Sequence, residues 1–447
     1  MTHRASRYSL ACSAERPTLI GMLKSSVVLL AIFFQLSCAT VVPTRKNDSA
    51  KNDAPYVVLV SIDGYRWDYT QKFNPPFLSR ISEQGARAES LIPVFPSKTF
   101  PNHYSIATGL VPGNHGLVSN EFMDPTSRDR YAIKDRAAVA DARWYFGEPI
   151  WNTVEKNGLL SANCFWVGSE AAIGGARATY WLPYDDQMPK EARVSQVLAW
   201  LQLPAENRPH FVTLYFSAVD SAGHAFGPDS AETKNAVRQV DQALEDLRSG
   251  LEKTGLPINL LIVSDHGMLS LDEKKHELFG DEASDLALAD FEIIGSGNVA
   301  FLYYVGPEGG KVEAAARAAK LLSAKAKHFK VFNATTPALI ASLPKSLFPQ
   351  YNSRFGDLIL VADPPYTISQ KKPTRTPPAA NHGWDPLVSH EMHGIFYAQG
   401  PAFKPRSRVG PVSNIHLVPL IAKILDLPPP TPIDGSLDAL SPLLKRR

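Results

Sequence analysis

The chain contains little cysteine, with only Cys12, Cys38 and Cys164 among its 447 residues. The first two lie in an N-terminal segment that we expect to be removed, so Cys164 is left alone and a disulfide framework is excluded. A chain of this length buries enough apolar surface to fold without such cross-links. Cys164 lies in the apolar residues 162–167, which predict a buried structural thiol.

The chain also lacks an excess of either charge. Its 46 Lys and Arg residues face 44 Asp and Glu residues, which gives a formal net charge of +2. We therefore expect no sequence-specific nucleic-acid binding, and an anionic ligand must be held by a local site. Internal repeats and apolar runs long enough to span a bilayer are lacking as well, which excludes a solenoid and a transmembrane span.

The N-terminus predicts an export signal over residues 1–39. Lys24 precedes a short apolar run at residues 27–34, and the small residues Ser37 and Ala39 follow it. A positive start, a short apolar core and small residues at the cleavage point are typical of a secretory signal. We expect a periplasmic or secreted protein.

Two details of this signal have alternatives. Met22 is an alternative start, because the residues before it are polar and unlike a functional segment. Cys38 is an alternative lipoprotein anchor, but Gln35 stands where the anchoring motif normally has Leu, so simple cleavage is favoured. The polar residues 40–54 predict a linker to the folded domain.

Apolar strand patterns alternate with helical patterns along the rest of the chain. Nearly continuous apolar runs predict buried strands at residues 57–62, 211–216, 259–263, 358–361 and 395–398. Amphipathic spacing predicts helices at residues 77–84, 191–201, 237–251 and 312–324. This alternation is typical of an α/β layered fold with a mainly parallel sheet, in which sites form at the carboxyl ends of strands.

One domain is predicted over residues 55–430. The less regular segment at about residues 268–357 predicts a cap or insertion within it, and the Lys-, Thr- and Pro-rich residues 369–380 predict a loop beside the site. Residues 431–447 predict a C-terminal surface extension.

Three aspartates and three histidines occur in short glycine-containing segments that follow predicted strands or close loops. They are Asp63 in VSIDG, Asp220 and His224 in VDSAGH, Asp265 and His266 in VSDHG, and His382 in NHGWD. A single Asp at a strand end is as often a turn or cap residue, but together they favour a common site. Oxygen and imidazole ligands without a thiolate suit two Zn²⁺ ions.

A hydroxyl residue precedes a helix that is predicted to begin at Pro101. A helix N-terminus favours an anionic hydroxyl and a bound phosphate, and metal coordination lowers the pKa of a hydroxyl further. Ser97 and Thr99 both satisfy this chemistry, and either alone is more often an N-cap. The residue types therefore predict a nucleophile at one of two positions.

These segments, in their order along the chain, resemble the nucleotide pyrophosphatase/phosphodiesterase family of the alkaline phosphatase superfamily. The resemblance is carried by VSIDGYR at residues 60–66, FPSKTFPNHYSIATGLVPGNHGLVSN at 95–120, DSAGHAFGP at 220–228, VSDHGM at 263–268 and NHGWD at 381–385. It implies an alkaline-phosphatase-like fold, and we expect a bacterial member whose residues 55–430 form the metal-dependent phosphodiesterase domain.

The resemblance implies Thr99 as the nucleophile and two zinc ions about 4 Å apart. One ion would be held by Asp220, His224 and His382, and the other by Asp63, Asp265, His266 and Thr99.

The resemblance also implies how the substrate is bound. Asn120 would donate its amide to a phosphate oxygen, while Phe100 and Tyr184 would sandwich a nucleobase, an arrangement that tolerates several bases. His103 and His115 are interpreted as structural hydrogen-bond partners.

Other residues near these motifs have simpler interpretations. His390 and His393 lie close to His382, but only His382 carries the Gly-Trp-Asp context, so it is favoured as the ligand. Lys98 is interpreted as a solvated lysine.

The predicted reaction is hydrolysis of phosphate diesters or nucleotide pyrophosphates to nucleoside monophosphates, through a phospho-threonine intermediate and two in-line steps. A diester is favoured over a more highly charged monoester because no Arg is expected near Thr99 and Asn120 is neutral. The alternatives are a phosphomonoesterase, a phosphonate hydrolase of the same superfamily, and a non-catalytic binding protein on this fold. A sulfatase is disfavoured because its formylglycine derives from Cys or Ser.

Overall fold

The computed structural model describes residues 45–374 and 376–446. The predicted export signal, Cys12, Cys38 and the first part of the predicted linker lie outside the described residues. Within the described part of the chain, no helix combines the length and the hydropathy that a membrane crossing requires.

Strands of the described residues form two larger sheets. In chain order they are β1 (Tyr56–Ile62), β2 (Ala86–Ala88), β3 (Ser161–Cys164), β4 (Tyr180–Trp181), β5 (Phe211–Phe216), β6 (Ile258–Val263), β7 (Phe291–Ile294), β8 (Val299–Tyr304), β9 (Phe329–Asn333), β10 (Leu358–Ala362), β11 (Phe396–Gln399) and β12 (Arg408–Val409). Short pairs join Leu91–Ile92 to Val412–Ser413, Glu121–Met123 to Arg130–Ala132, Leu269–Ser270 to Ala380–Asn381 and His276–Leu278 to Thr367–Ser369.

The first sheet has the strand order β12-β2-β11-β6-β1-β5-β3-β4. Its centre is parallel, since Val57 of β1 pairs with Phe211 of β5 and with Asn259 of β6, whereas β11 runs antiparallel to β6 and to β2. Alternate residues of β1 enter different cores, with Val57 on one face and Val58 on the other. Burial on both faces explains the continuous apolar run, and the predicted α/β fold with a mainly parallel central sheet is confirmed.

Helices pack against the two larger sheets. They are α1 (Tyr69–Phe73), α2 (Pro76–Gln84), α3 (Thr99–Thr108), α4 (Pro112–His115), α5 (Arg136–Ala140), α6 (Ile150–Lys156), α7 (Lys190–Leu201), α8 (Ala218–Phe226), α9 (Ala231–Lys253), α10 (Glu282–Ala287), α11 (Lys311–Lys325), α12 (Pro337–Ala341) and α13 (Leu417–Leu425).

The long helix α9 shows how the pattern produces an element. Its predicted apolar stripe, from Val237 to Leu251, is buried against the sheet. Ser230 caps its N-terminus by accepting a hydrogen bond from the Thr233 backbone N–H, and Gly255 follows its end with a φ of +66°.

The second sheet is built from residues 291–362 and has the antiparallel order β7-β8-β10-β9. The apolar run at residues 358–361 forms β10 of this sheet, so the predicted buried strand is confirmed. Leu360 packs in one core beside Leu322 of α11, while Ile359 enters another core on the opposite face. A strand buried on both faces has the same apolar pattern in either kind of sheet, so the pattern does not indicate which sheet it joins.

Candidate active site

The six predicted ligands approach one another at the carboxyl edge of the main sheet. Asp63 follows β1, Asp265 and His266 follow β6, and Asp220 lies in the first turn of α8, directly after β5. Strands β6, β1 and β5 are neighbours, so their ends meet at one place on this edge. His382 follows the short strand Ala380–Asn381 and completes the cluster from outside the main sheet.

The first set of residues surrounds the imidazole of His266. Its Nε2 lies 3.3 Å from Asp63 Oδ1, 3.0 Å from Asp265 Oδ2 and 3.2 Å from Thr99 Oγ1. The two aspartates and His266 are buried, and their ligand atoms all lie within 4.8 Å of one another. A hydroxyl, two carboxylates and an imidazole therefore converge on one small volume.

The second set is centred on Asp220. Its Oδ1 lies 3.4 Å from His224 Nε2 and 3.7 Å from His382 Nε2. The rings of His382 and His266 stack with centroids 3.4 Å apart, so the two sets are contiguous. The structure brings the predicted ligands together.

Each histidine of the cluster is oriented by a backbone carbonyl. Nδ1 of His224 lies 2.9 Å from Ala380 O, and Nδ1 of His266 lies 2.9 Å from Gly267 O. Nδ1 of His382 lies 2.8 Å from Ser97 O. A carbonyl accepts only from a protonated nitrogen, so Nδ1 carries the hydrogen and Nε2 presents its lone pair to the cluster. This arrangement is typical of metal-ligating histidines.

Two carboxylates of the cluster each have one oxygen that the protein fixes, and all three aspartates have one oxygen without a hydrogen-bond partner. Tyr215 OH donates to Asp63 Oδ2 at 2.6 Å, and the Gly64 N–H donates to Asp265 Oδ1 at 3.2 Å. In contrast, Asp63 Oδ1, Asp220 Oδ1 and Asp265 Oδ2 are buried without a hydrogen-bond partner. Buried anionic oxygens are costly unless a cation compensates them, so these residues fit divalent metal ions.

Burial and the charges of the cluster itself shift the pKa values of its residues. Burial, together with Asp265 and Asp220, raises the pKa of Asp63 well above its usual value. Burial also acts to raise the pKa of Asp265, but His266 and His103 outweigh it and hold that pKa well below its usual value. Burial lowers the pKa of His382, which keeps its imidazole neutral, as a ligand must be.

The surroundings of the two candidate nucleophiles, Ser97 and Thr99, distinguish them. Thr99 is the first residue of α3, so the helix begins at the hydroxyl residue itself and the predicted start at Pro101 is wrong. Ser97 is fully buried and donates its hydroxyl to Trp384 O at 2.7 Å. Only the Thr99 hydroxyl is within hydrogen-bond distance of the cluster through His266.

Asn120 is held with its amide group in a defined orientation. Its Oδ1 accepts a hydrogen bond from the Phe100 backbone N–H at 3.0 Å. The amide oxygen is thereby fixed close to the first turn of α3, which leaves the amide nitrogen available as a donor.

A cavity of about 450 Å³ opens beside Thr99. Phe100 and Tyr184, the two aromatic residues expected to contact a nucleobase, both line it, as does Asp220. Its further lining combines aromatic and aliphatic residues, such as Trp166, with charged and polar ones. A pocket with aromatic walls next to the hydroxyl and the carboxylates suits a ligand with a planar group attached to a phosphate.

The expectation that no Arg lies near Thr99 is wrong. Arg136 and Lys134 line the same cavity, and the Arg136 guanidinium pairs with Glu170 and lies 5.9 Å from the centre of the Tyr184 ring. This arrangement could not be predicted from the sequence, because Lys134 and Arg136 lie more than 30 residues after Thr99 and only the fold brings them to the same cavity.

Lys98 is not the solvated lysine that was expected. Its ammonium donates to Asn298 Oδ1 at 2.7 Å, which ties the residue before Thr99 to the loop between β7 and β8. Burial lowers the pKa of Lys98 to about 8.

The remaining histidines have hydrogen-bonding surroundings of their own. His103 Nε2 lies 2.8 Å from Ser61 Oγ and His115 Nε2 lies 2.9 Å from Ser105 Oγ. The ring nitrogens of His393 lie 2.8 Å from Ser90 Oγ and 2.9 Å from Pro386 O.

His390 stacks on Trp67 with ring centroids 4.3 Å apart. Its ring is therefore used for packing beside the loop that carries His382.

Sequence reasoning missed one residue that supports the cluster. Tyr215 holds Asp63 by donating its hydroxyl hydrogen to Asp63 Oδ2. In the pairing of β5 with β1, Tyr215 lies opposite Ser61, two positions before Asp63. This register is the signal that could have placed Tyr215 beside Asp63.

Comparisons with known proteins agree with this geometry. The model of the type I phosphodiesterase/nucleotide pyrophosphatase family matches residues 57–385. Mouse ectonucleotide pyrophosphatase/phosphodiesterase family member 1 is 34% identical over 412 residues, covering 89% of this chain and 43% of the relative. The venom phosphodiesterase of Macrovipera lebetinus is 34% identical over 398 residues, covering 87% of this chain and 45% of the relative. The chain thus spans less than half the length of these curated relatives.

Solved structures show the same architecture. Murine ectonucleotide pyrophosphatase/phosphodiesterase 5 matches with a TM-score of 0.78 and 28% identity, covering 87% of this chain and 100% of that one. An inactive form of the murine protein in complex with AMP matches with a TM-score of 0.78 and 28% identity, covering 88% of this chain and 100% of that one. These structures confirm the predicted fold family.

Proposed function

Because the chain belongs to the type I phosphodiesterase/nucleotide pyrophosphatase family, we propose that it hydrolyses phosphate diesters and nucleotide pyrophosphates and releases nucleoside monophosphates. One observation carries the proposal: the Thr99 hydroxyl lies 3.2 Å from His266 Nε2, at a cluster of buried carboxylates with unpartnered oxygens. The relative in complex with AMP supports a nucleotide as the substrate.

Two zinc ions per chain are part of the proposal. One set of ligands is Asp63, Asp265, His266 and Thr99, and the other is Asp220, His224 and His382. Bound zinc ions stabilise negative charge on phosphate oxygens and lower the pKa of a coordinated hydroxyl.

In the first step, the Thr99 oxygen attacks phosphorus and forms a new P–O bond. The bond to the alcohol or phosphate leaving group breaks on the opposite side, and the leaving group takes the electron pair and, in the net reaction, the proton that the Thr99 hydroxyl loses. Asn120 donates its amide N–H to a nonbridging oxygen, where negative charge increases in the transition state. A phospho-threonyl ester of the nucleoside remains on the protein.

In the second step, water attacks phosphorus and the bond to Thr99 breaks. A nucleoside monophosphate leaves and the threonine hydroxyl is restored. Phe100 and Tyr184 hold the base during both steps by stacking in the cavity that both residues line. The Tyr215 hydroxyl and the Gly64 backbone N–H keep Asp63 and Asp265 oriented toward the cluster.

A diester is proposed to be a better substrate than a monoester, although Arg136 and Lys134 line the cavity. The charge of Arg136 is compensated by Glu170, with which it pairs, and Lys134 is exposed to solvent. The donor assigned to the phosphate oxygen, Asn120, is neutral and so favours the less charged diester.

The proposal is tested with the zinc-loaded protein on bis(4-nitrophenyl) phosphate, 4-nitrophenyl phosphate, ATP and dinucleotides. We expect the diester to be the better substrate of the aryl pair by kcat/KM, and AMP to be a product of ATP. Thr99→Ala should lower kcat by about a thousandfold or more, Thr99→Ser should retain part of it, and Thr126→Ala, which alters an exposed threonine, serves as the control. Full activity of Thr99→Ala, preference for the monoester, or binding of AMP without hydrolysis of any substrate would each reject the proposal.

We also propose that the protein is exported to the periplasm or secreted, with residues 55–430 as the catalytic domain and an insertion at about residues 268–357. N-terminal sequencing of the mature protein should give a start near residue 40. A mature chain that retains Met1 or Met22 would contradict cleavage of the predicted signal.

A further inference from the structure

A second cavity, of about 780 Å³, lies at the edge of the main sheet opposite to Thr99. Its wall includes Pro55, directly before β1, and Asn259, near the start of β6. The same two strands carry Asp63 and Asp265 after their carboxyl ends. The seven residues of β1 span about 23 Å at 3.3 Å per residue, so the cavity is separated from the cluster by the length of the sheet.

The wall of this cavity is strongly basic. Lys404, Lys423, Lys445 and Arg446 line it, against the single carboxylate of Asp53. All four cations are exposed to solvent, and the four come from three separate segments of the chain. The whole chain has a formal net charge of only +2, so this concentration of positive charge is local and would attract an anion.

Apolar residues also line the cavity, and this set is called its apolar floor, as the cations are called its rim. The apolar residues are Pro257, Pro401, Ile424, Leu437 and Leu444. A small inorganic anion contacts only the cations and makes no use of the apolar residues. A cavity of several hundred Å³ with an apolar floor and a cationic rim fits an amphiphile whose anionic group is attached to hydrocarbon.

We propose that this basic cavity binds the phosphate headgroup of an anionic phospholipid and so docks the protein on a membrane surface. The lysine and arginine side chains contact the phosphate, while the apolar floor accepts the adjoining glycerol and acyl carbons. Docking at this edge leaves the opposite edge, with Thr99 and its cavity, accessible to substrates from the aqueous side. The inference does not depend on the proposed hydrolysis.

Vesicle binding of the full chain tests this inference. Co-sedimentation is measured with vesicles of phosphatidylcholine alone and with equimolar phosphatidylcholine and phosphatidylglycerol. The apolar residues 27–34 are common to all variants, so the increase from the first vesicle to the second is the quantity compared. The test variant is Lys404→Gln/Lys423→Gln/Lys445→Gln.

The matched control is Lys253→Gln/Lys320→Gln/Lys327→Gln, which removes the same charge at exposed positions outside the cavity. A basic residue near an anionic surface contributes about fivefold in partitioning at low salt, so the test variant should lose at least about tenfold of the increase. The control should lose less than about threefold, and added salt should weaken binding of the unmodified protein. Thermal unfolding of both variants checks that each is folded, and Lys423→Glu alone provides a second test at one position.

Three outcomes would overturn the inference. Equal binding to the two kinds of vesicle would show that anionic lipid is not recognised. Equal losses in the test and control variants would assign the effect to net charge. Binding of inorganic phosphate that depends on the three cavity lysines, without any increase on phosphatidylglycerol, would identify a site for free anions instead.

Discussion

Gly383 lies next to His382 in a backbone conformation that favours glycine, and Gly383→Ala is expected to weaken both folding and metal binding. Its φ is +125°, and a Cβ built there meets Lys98 Cε at 2.5 Å and Asn298 Oδ1 at 2.6 Å. The substitution therefore strains the backbone and also separates Lys98 from Asn298, whose hydrogen bond measures 2.7 Å.

The two costs are of similar size. A residue other than glycine in such a conformation costs about 1–3 kcal/mol. Loss of a hydrogen bond from a charged donor costs about 1.5–3 kcal/mol. We expect the free energy of unfolding to fall by about 4 kcal/mol, and zinc affinity to fall about 10- to 100-fold because the neighbouring ligand His382 is displaced.

Gly255→Ala is the matched control. Gly255 has a φ of +66°, but no atom lies within 4 Å of a Cβ built there. It should cost only about 1–2 kcal/mol from the backbone and leave zinc affinity unchanged. Urea unfolding and competition with a zinc chelator measure the two quantities. Equal losses of stability in the two variants, together with unchanged zinc affinity in Gly383→Ala, would refute the reasoning.

Three further substitutions test other parts of the site and the core. Tyr215→Phe removes the donor to Asp63 Oδ2 and should lower zinc affinity about tenfold; chelator competition measures this, and unchanged affinity would contradict it. Asn120→Ala should lower kcat about a hundredfold while zinc content stays constant; a full rate would remove the residue from the mechanism. Burial lowers the pKa of His115 from 6.5 to about 3, so below pH 6.5 the unfolded chain binds a proton that the folded protein does not. The free energy of unfolding should fall by about 1.4 kcal/mol per pH unit as the pH decreases from 6.5 toward 3. If a His115→Gln variant loses stability just as steeply, His115 is not the cause of this pH dependence.

The central sheet and the metal-ligand cluster were accessible from sequence because both follow from local patterns. The apolar run of β1 reflects burial on two faces, and a carboxylate at the end of a parallel strand lies at the edge where sites form. The strands before Asp63, Asp220 and Asp265 were predicted, which placed the three residues at one edge of the sheet, and the structure shows that the three strands are neighbours.

Features that depend on contacts between distant segments were not accessible. The β10 run has the same apolar pattern in either kind of sheet, so the sheet it joins could not be predicted. Arg136 and Glu170 meet at the cavity only after folding, and no local pattern marks them. From sequence alone, the hydroxyls of Ser97 and Thr99 are equally suitable nucleophiles. The structure distinguishes them, because it buries the Ser97 hydroxyl against Trp384 O.

The central claim is that seven side chains from distant segments hold two zinc ions. The Thr99 hydroxyl, which belongs to one of the seven, lies between the ions and the substrate. A crystal structure of the zinc-loaded protein, with anomalous diffraction measured at the zinc edge, tests it most directly. We predict two separate peaks, one contacted by Asp220, His224 and His382 and the other by Asp63, Asp265, His266 and Thr99. A single peak, peaks elsewhere on the protein, or a Thr99 hydroxyl directed away from both peaks would contradict it.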